Sequence, residues 1–308
     1  MAEISSQTVK MLREKTGAGM MDCKKALEAV GADMEEAILW LRKKGLSAAS
    51  KKSGRVASEG LVGVISHGTK GVLLEVNAET DFVARNEQFQ DFVRKVSHLA
   101  LEKELDFEGL KKASFPGSDR TVEEELTHLI SVVGENMSLR RVAKLQVTNG
   151  IVCHYIHTQV APELGRIGVL VALESSGDKE KLHALGMNLA MHIAATRPEA
   201  LRVEDVKTDA IEREREIFRE QSIASGKSKD VVEKMVDGRI RKYLEEVALL
   251  EQMYVIDGKT KISKVIEEAI KEIGSPITLT AFERFALGEG IEKKSVDFAA
   301  EVAAQLGS

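Results

Sequence analysis

Cysteine, proline and aromatic side chains are all scarce in this chain, whose 308 residues include 2 Cys, 4 Pro and only 4% aromatics. Cys23 and Cys153 are too few and too far apart in sequence to suggest a disulfide framework or a zinc site. They suit a reducing cytosol, so a cytoplasmic location is expected. Few aromatics means poor material for base-stacking platforms. A net charge of −5 argues against nucleic-acid binding held by global electrostatics, and no sequence-specific nucleic-acid partner is expected. No apolar run approaches the ~20 residues of a membrane helix, and MAEISSQTVKMLREKTG lacks the basic-then-apolar layout of a signal peptide. No membrane partner is expected either.

Enzyme signatures are also missing. Gly226-Lys227-Ser228 and Gly258-Lys259-Thr260 both lack the earlier glycine of a phosphate loop, and read as a turn and a loop. His154 and His157 are the tempting metal pair. On a strand, however, a spacing of three puts side chains on opposite faces. No Gly-x-Ser-x-Gly elbow or His-Glu-x-x-His helix occurs, and His67, His98, His128, His183 and His192 sit singly. The expectation is a protein that is not an enzyme, with no catalytic residues, no cofactor and no metal.

What the chain does contain is ordered texture, with 43% apolar and 30% charged residues. Residues 4–44 read as three short helices. Ser5 or Ser6 caps the first, and MMDCKKALEAV gives the second a stripe of Met20, Cys23, Leu27 and Val30. Asp33 caps a third that carries Met34, Ala37, Ile38 and Leu41. Such a bundle is marginal alone. RKKGLSAASKKSGR, residues 42–55, has six basic residues and no acid. It reads as a solvated linker or as a contact with an acidic partner or RNA.

Strand texture follows. LVGVISHGTKGVLLEVN reads as a hairpin around His67-Gly68-Thr69-Lys70-Gly71, followed by a helix with Phe89, Phe92, Val93, Val96 and Leu99 on one stripe. GIVCHYIHTQVAPELGRIGVLVALES and KLHALGMNLAMHIAAT repeat the pattern. Gly71-Val-Leu-Leu-Glu-Val aligns with Gly168-Val-Leu-Val-Ala-Leu, which suggests a duplicated core. Residues 110–144 between the copies read as helical, with a loop at 114–119. In the charge-dense stretch 204–256, Val236, Ile240, Tyr243, Val247, Leu250 and Tyr254 step by four and three, the seam of a coiled-coil hairpin. ITLTAFERFALGEG reads as a returning strand, and SVDFAAEVAAQL as a C-terminal helix.

The fold class is therefore α+β: an N-terminal three-helix bundle, a duplicated α+β core with small antiparallel sheets, an inserted antiparallel coiled-coil hairpin and a C-terminal helix. The expected boundaries are 1–53 for the bundle and basic linker, 54–150 and 151–203 for the core halves, and 204–256 for the hairpin. Residues 257–288 return to the core, and 289–308 form a C-terminal module.

One stretch asks for more than a fold. AETDFVARN, residues 78–86, leaves a buried-looking strand straight into Thr80-Asp81-Phe82-Val83. Thr80 or Asp81 serves as an N-cap for a helix over 88–101, with Phe82 a core residue or staple. Asp297-Phe298, inside plain amphipathic helix, shows that an Asp-Phe pair alone means little.

The motifs KTGAGMMDCKKALE, LLEVNAETDFVARN, GENMSLRRV, RIGVLVALES, LAMHIAATRPE and GEGIEK, in this order, make the chain resemble the bacterial elongation factor Ts family over nearly its whole length. The resemblance implies a guanine-nucleotide exchange factor for elongation factor Tu in translation elongation. It implies that Asp81 and Phe82, flanked by Thr80 and Val83, press on the GTPase domain and disturb its Mg²⁺ and phosphate site. It also implies a ubiquitin-associated-like N-terminal bundle that docks on that domain, further contacts at Met137 and His157, and a second partner domain. A homodimer within a 2:2 complex stays open. Two other readings remain from the residues alone. One is a helical adaptor that binds through its hairpin. The other is an RNA-associated protein using the basic run at 42–55 with Arg140, Arg141 and Lys144; its binding would fall steeply with salt.

Overall fold

The computed structural model describes residues 4–103, 105–223 and 228–292. Helices α1 (Ser6–Thr16), α2 (Met20–Ala29) and α3 (Met34–Lys52) come first. Ser5 caps α1 by accepting from the Thr8 amide, and Gly17 closes it in the left-handed conformation. Asp33 caps α3 through the Glu36 amide. The three helices meet on Leu12, Cys23, Ala26, Leu27 and Ala37, a core too small to stand alone. Support comes from α3, because the segment read as a basic linker is instead its second half. That half lies against α6 (Val122–Val133). Gly45 makes the approach fit, since a Cβ there would sit 3.3 Å from Ser131. No proline interrupts this run, and its Ala, Leu and Lys are strong helix formers. The basic run is a helix face.

β1 (Glu59–His67) and β2 (Lys70–Ala78) form a hairpin around Gly68-Thr69, with Gly68 at φ 58°. α4 (Glu87–Lys103), α5 (Phe107–Lys112) and α6 follow, then β3 (Met137–Gln146), antiparallel to β2. β4 (Gly150–Ala161) and β5 (Leu164–Glu174) make the second hairpin. After it come α7 (Lys179–Thr196), α8 (Thr208–Ile223), α9 (Lys229–Val247), α10 (Ile262–Ile273) and β6 (Thr278–Ala286), antiparallel to β5. The duplication thus runs beyond the hairpins. Each half ends in a helix, a left-handed glycine (Gly134 or Gly274) and a strand paired with its hairpin's second strand. Even the irregularities correspond. The β2–β3 register shifts between Glu75 and Val76 and the β5–β6 register between Ala172 and Leu173, equivalent places in the Gly71/Gly168 alignment.

The small sheets expected of the two halves are continuous. One six-stranded antiparallel sheet runs β3-β2-β1-β5-β4, with β6 also paired to β5. Val62, Val64, Leu73, Val152, Leu170 and Phe285 pack between the two halves. The aligned glycines make that closure fit. A Cβ on Gly71 would lie 2.7 Å from Val152 and one on Gly168 2.5 Å from Val64, so each half's glycine admits the other half's side chains. α4, α5 and α6 cover the first half from outside, and α7 and α10 the second.

Two further sequence expectations change. Residues 110–144 are not helical throughout: past Gly134 the chain is β3, whose Met137 and Leu139 turn inward at the strand period of two. The seam in 204–256 holds only through Val247. There α9 stops, because Ala248 turns extended and bridges Ala200, and Leu250 and Tyr254 pack into the core of the second half. The hairpin of α8 and α9 is closed by Val232, Val236 and Ile240 against Ile211 and Phe218. Its tip at Ser225-Gly226-Lys227 lies outside the described residues. So does the expected C-terminal helix with Asp297-Phe298, of whose span 289–308 only 289–292 are described. No helix among the described residues is long and apolar enough to cross a membrane.

Candidate functional site

The two halves enter their helices differently. Four residues, 175–178, connect β5 to α7, and Asp178 caps α7 by accepting from the Glu180 and Lys181 amides. Eight residues, 79–86, connect β2 to α4. In the glycine alignment Asp81 is the counterpart of Asp178, and the sequence offers Thr80 or Asp81 as the cap of α4. Neither caps it. Asn86 does, through an Oδ1 that accepts from the Phe89 amide at 3.1 Å. The added length forms a single 3₁₀ turn, Val83–Arg85.

This corner is tied down on both sides of Asp81-Phe82. Upstream, the Thr80 amide donates to Glu135 Oε2 at 2.9 Å and the Thr80 hydroxyl to Glu135 Oε1 at 2.7 Å. Glu79 answers by accepting from the Asn136 amide at 2.5 Å and from Arg55 at 3.4 Å. Downstream, Val83 and Ala84 are buried in the core of the first half, and the Gln90 side chain donates to the Ala84 carbonyl. Asp81 and Phe82 project side by side, and Arg85 is exposed further along the turn. Phe82 is 76% exposed, more than any other large apolar side chain among the described residues. Its backbone is ordinary, φ −62° and ψ −35°.

Val83 and Met137 are internal. Met137 opens β3, pairs with Ala78 and is 3% exposed, so it backs the corner from within. His157 is exposed on β4, with Nδ1 3.3 Å from the Tyr155 hydroxyl, in the other half of the core. The structure therefore brings Thr80, Asp81, Phe82, Val83 and Met137 together and leaves His157 apart.

The residues that hold the corner are the ones sequence reasoning missed. GENMSLRRV supplies Glu135 and Asn136 for it, and also Arg140 and Arg141 for a second anchor on the same strand, β2. There Glu75 is fully buried. Its Oε1 accepts from Arg140 at 2.8 Å, Asn77 at 3.0 Å and the Gly288 amide at 2.8 Å, and its Oε2 from Arg141 at 2.6 Å. Burial pushes this carboxyl up, but the Gly288, Arg140, Asn77 and Arg141 donors outweigh it and hold the group below its ordinary value. Two motifs thus form one network. Its signal in the sequence was the unexplained Glu75 in an otherwise apolar strand. Six of the basic residues weighed for RNA are engaged within the chain: Arg42 pairs with Glu124, Lys44 with Asp22, Arg55 with Glu79, Arg140 and Arg141 with Glu75, and Lys144 donates to the Leu105 carbonyl.

Chemically, the corner offers a carboxylate beside an aromatic ring on a fixed turn. Such a pair can press on a partner. Among the described residues no group of three or more His, Cys, Asp or Glu is placed to hold a metal. The Cys153 thiol is pushed up to about 11 by burial, away from thiolate chemistry. The loop at 257–260 is closed by Asp257 accepting from the Lys259 and Thr260 amides, which makes it a turn rather than a phosphate cradle.

Comparison with known proteins gives a consistent result. The family model described as "Elongation factor TS" matches residues 79–289, beginning at the corner itself. The chain is 62% identical over 307 residues to "Elongation factor Ts" of Rhodospirillum centenum, covering 100% of both chains. It is 61% identical over 308 residues to the protein of that name from Paramagnetospirillum magneticum, covering 100% of this chain and 99% of the relative. The Rhodospirillum rubrum protein of that name is 59% identical over 307 residues, 99% of each.

Proposed function

The chain belongs to the elongation factor Ts family and is a translation elongation factor; from that premise we propose that it is the guanine-nucleotide exchange factor of elongation factor Tu. It binds the GDP complex of that GTPase, disturbs the Mg²⁺ and phosphate site and lets GDP leave so that GTP can enter. It works in the cytoplasm, carries no cofactor of its own and makes or breaks no bond. One observation carries this reading: Phe82 stands 76% exposed between two anchored flanks. A soluble domain gains nothing in its own stability from such a residue, whereas a surface that must push on another protein needs a rigidly seated apolar side chain.

The chemistry of the target supports the assignment of roles. Mg²⁺ demands near-ideal octahedral geometry and tolerates little displacement of its ligands. Phe82 acts as the wedge, and Asp81 brings a negative charge towards a site organised around a cation. Thr80 and Val83 set the angle of the wedge, and Met137 supports them from inside. His157 makes a separate contact with a second domain of the partner, and the N-terminal bundle docks on the GTPase domain.

The test is release of labelled GDP from elongation factor Tu with the purified chain at saturating concentration. Acceleration on the order of 10⁴-fold is expected, about 5–6 kcal/mol off the barrier, with no nucleotide bound to the chain itself in calorimetry. An unchanged release rate would end this reading.

A further inference from the structure

α6 and α10 occupy equivalent places in the two halves. Each has 12 residues and ends at a left-handed glycine, and their first residues, Val122 and Ile262, donate back across the preceding loop to the carbonyls of Ala113 and Gln252. Their outward faces differ. On α10 the positions Lys264, Glu268, Lys271 and Glu272 are all charged and exposed. Their counterparts on α6 are Glu124, His128, Ser131 and Val132, all partly covered. The N-terminal bundle and α3 do the covering. Arg42 pairs with Glu124, a Cβ on Gly45 would sit 3.3 Å from Ser131, and one on Gly17 would sit 3.8 Å from His128 and Val132. The residues after the two glycines differ as well. Gly274 is followed by Ser275 and Pro276, but Gly134 by Glu135 and Asn136, which hold the Phe82 corner. Asn136 also reaches the end of α3. Its backbone N–H donates to Glu79, and its buried side chain donates to the Arg55 carbonyl at 2.7 Å. The Arg55 amide in turn donates at 2.9 Å to the carbonyl of Lys52, the last residue of α3.

We propose that α3 is a strut that sets the N-terminal bundle in fixed register with Phe82, with Gly45 and Asn136 as its positioning residues. Its part in exchange rests on the function proposed above. The helix has 19 residues and is about 28 Å long. One end carries Ala37 of the bundle core, its second half lies along α6, and its far end is fastened behind the corner. A close-packed seam with a glycine at its nearest approach yields little to bending or sliding. A partner that meets the bundle therefore finds Phe82 already placed. The second contact is made without a further search, and a preorganised wedge acts at high effective concentration. A bundle on a loose tether would add affinity without that placement. The duplication separates this role from folding. The other half builds the same helix, glycine and strand with neither seam nor fastening among the described residues, so the fold itself does not require them.

The test compares wild type with Gly45→Leu, which forces α3 off α6, with Asn136→Ala, and with the two combined. Spin labels on Lys25→Cys and Gln88→Cys, both exposed positions, report the distance from bundle to corner in the free chain; Cys23 and Cys153 are buried and stay unlabelled. Wild type should give one narrow distance distribution, and each variant should broaden it. In GDP release from elongation factor Tu, each single variant should lower the rate at saturation by roughly tenfold, with KM changed by less than about twofold. The combined variant should lose little more than the worse single one, because both loosen one register, whereas distant independent changes would multiply. Asn136→Asp keeps the volume and replaces the donor to Arg55 with an oxygen. It repeats the measurement if the alanine variant loses its native circular dichroism. A broad distribution in wild type, widths that neither variant changes, losses that multiply in full, or a raised KM at an unchanged maximal rate would each overturn the strut. If wild type fails to accelerate GDP release, the exchange role falls on its own, and the distances alone decide the strut.

Discussion

Glu135 holds Thr80 with both carboxylate oxygens, one on the amide at 2.9 Å and one on the hydroxyl at 2.7 Å. The pair spans 55 positions of sequence and ties the turn before β3 to the end of β2. Its consequence falls two residues later. With Thr80 fixed upstream and Val83 buried downstream, Phe82 has no freedom except its own rotamers. The Glu135–Thr80 contact is a part-buried, charge-assisted pair, of the kind worth about 1.5–3 kcal/mol.

Glu135→Gln should therefore impair exchange more than binding. Its amide oxygen still accepts from the Thr80 N–H and its NH₂ group donates to the Thr80 hydroxyl, but the negative charge that strengthens both bonds is lost. GDP release at saturating concentration should slow by roughly tenfold, with melting lowered by a few degrees. The discriminating measurement is a double-mutant cycle. Combined with Phe82→Ala, the glutamine change should add little, because its effect passes through that ring. Full additivity would make Glu135 a merely structural residue.

Phe82→Ala tests the wedge itself. A GTPase that holds GDP at about nanomolar affinity releases it at roughly 10⁻³–10⁻² s⁻¹, and reaching a 10⁴-fold faster rate takes about 5–6 kcal/mol. Burying one Phe supplies only about 1.5–3 kcal/mol. The rest must come from a distributed interface. Stopped-flow release should slow by roughly 10- to 100-fold, and Asp81→Ala should do the same more weakly. Thermal stability should stay within about 0.5 kcal/mol, since the ring is exposed. A wild-type release rate would return Phe82 to the status of an incidental surface residue.

Much of this was legible in the sequence wherever the information is local. The Cys23-Leu27 stripe, the Gly68-Thr69 turn and the equivalence of Gly71 with Gly168 are all period or punctuation signals. α10 was equally legible, since Ile262, Val265, Ile266, Ala269, Ile270 and Ile273 repeat at helical spacing, yet it went unread behind the charged hairpin. β3 and the second half of α3 are not legible for a different reason: their charges are satisfied by residues far away, Arg140 and Arg141 by Glu75 and Arg42 by Glu124. The site was half legible. Only family motifs singled out Asp81-Phe82 from Asp297-Phe298, and Glu135 stayed hidden because nothing local links it to Thr80.

The hairpin should be separable from the core. Two clusters hold it: Ala200, Val206, Val247 and Ala248 at the base, and Val232, Val236 and Ile240 further out. Replacing residues 215–237 with a short Gly-Ser link removes Val232 and Val236 of the outer cluster with Phe218, leaving Ile240 behind, and two exposed pairs, Arg215–Asp237 and Arg219–Glu233, each worth about 0–1 kcal/mol. The base cluster is untouched. The core's melting temperature should hardly move. A drop of ten degrees or more would mean that the outer hairpin carries core stability.

The last expectation concerns acid. His192 is fully buried; its Nε2 is 2.8 Å from Gln252 Oε1 and its Nδ1 3.3 Å from the Val255 amide, which donates to it. That arrangement needs the neutral ring with its proton on Nε2. Burial lowers the His192 pKa below its ordinary value of 6.5, and the Gln252 hydrogen bond only partly restores it; burial depresses His128 and His154 as well. A histidine depressed in the folded state is matched by its unfolded counterpart above pH 6.5 and disfavours folding below it. Stability should therefore be full above about 6.5 and fall as the pH drops through the lower folded values. Glu75 has the same sign in a lower window: its contribution is present above its ordinary 4.5 and is lost as acid protonates the folded carboxylate. Melting followed from pH 8 to 3 should thus decline in two stages, the first setting in below 6.5 and the second below 4.5. His192→Gln should shrink the first stage, leaving the part due to His128 and His154, and leave the second, and Glu75→Gln should shrink the second and leave the first. A single sigmoid that neither variant alters would show that neither buried group governs the acid response.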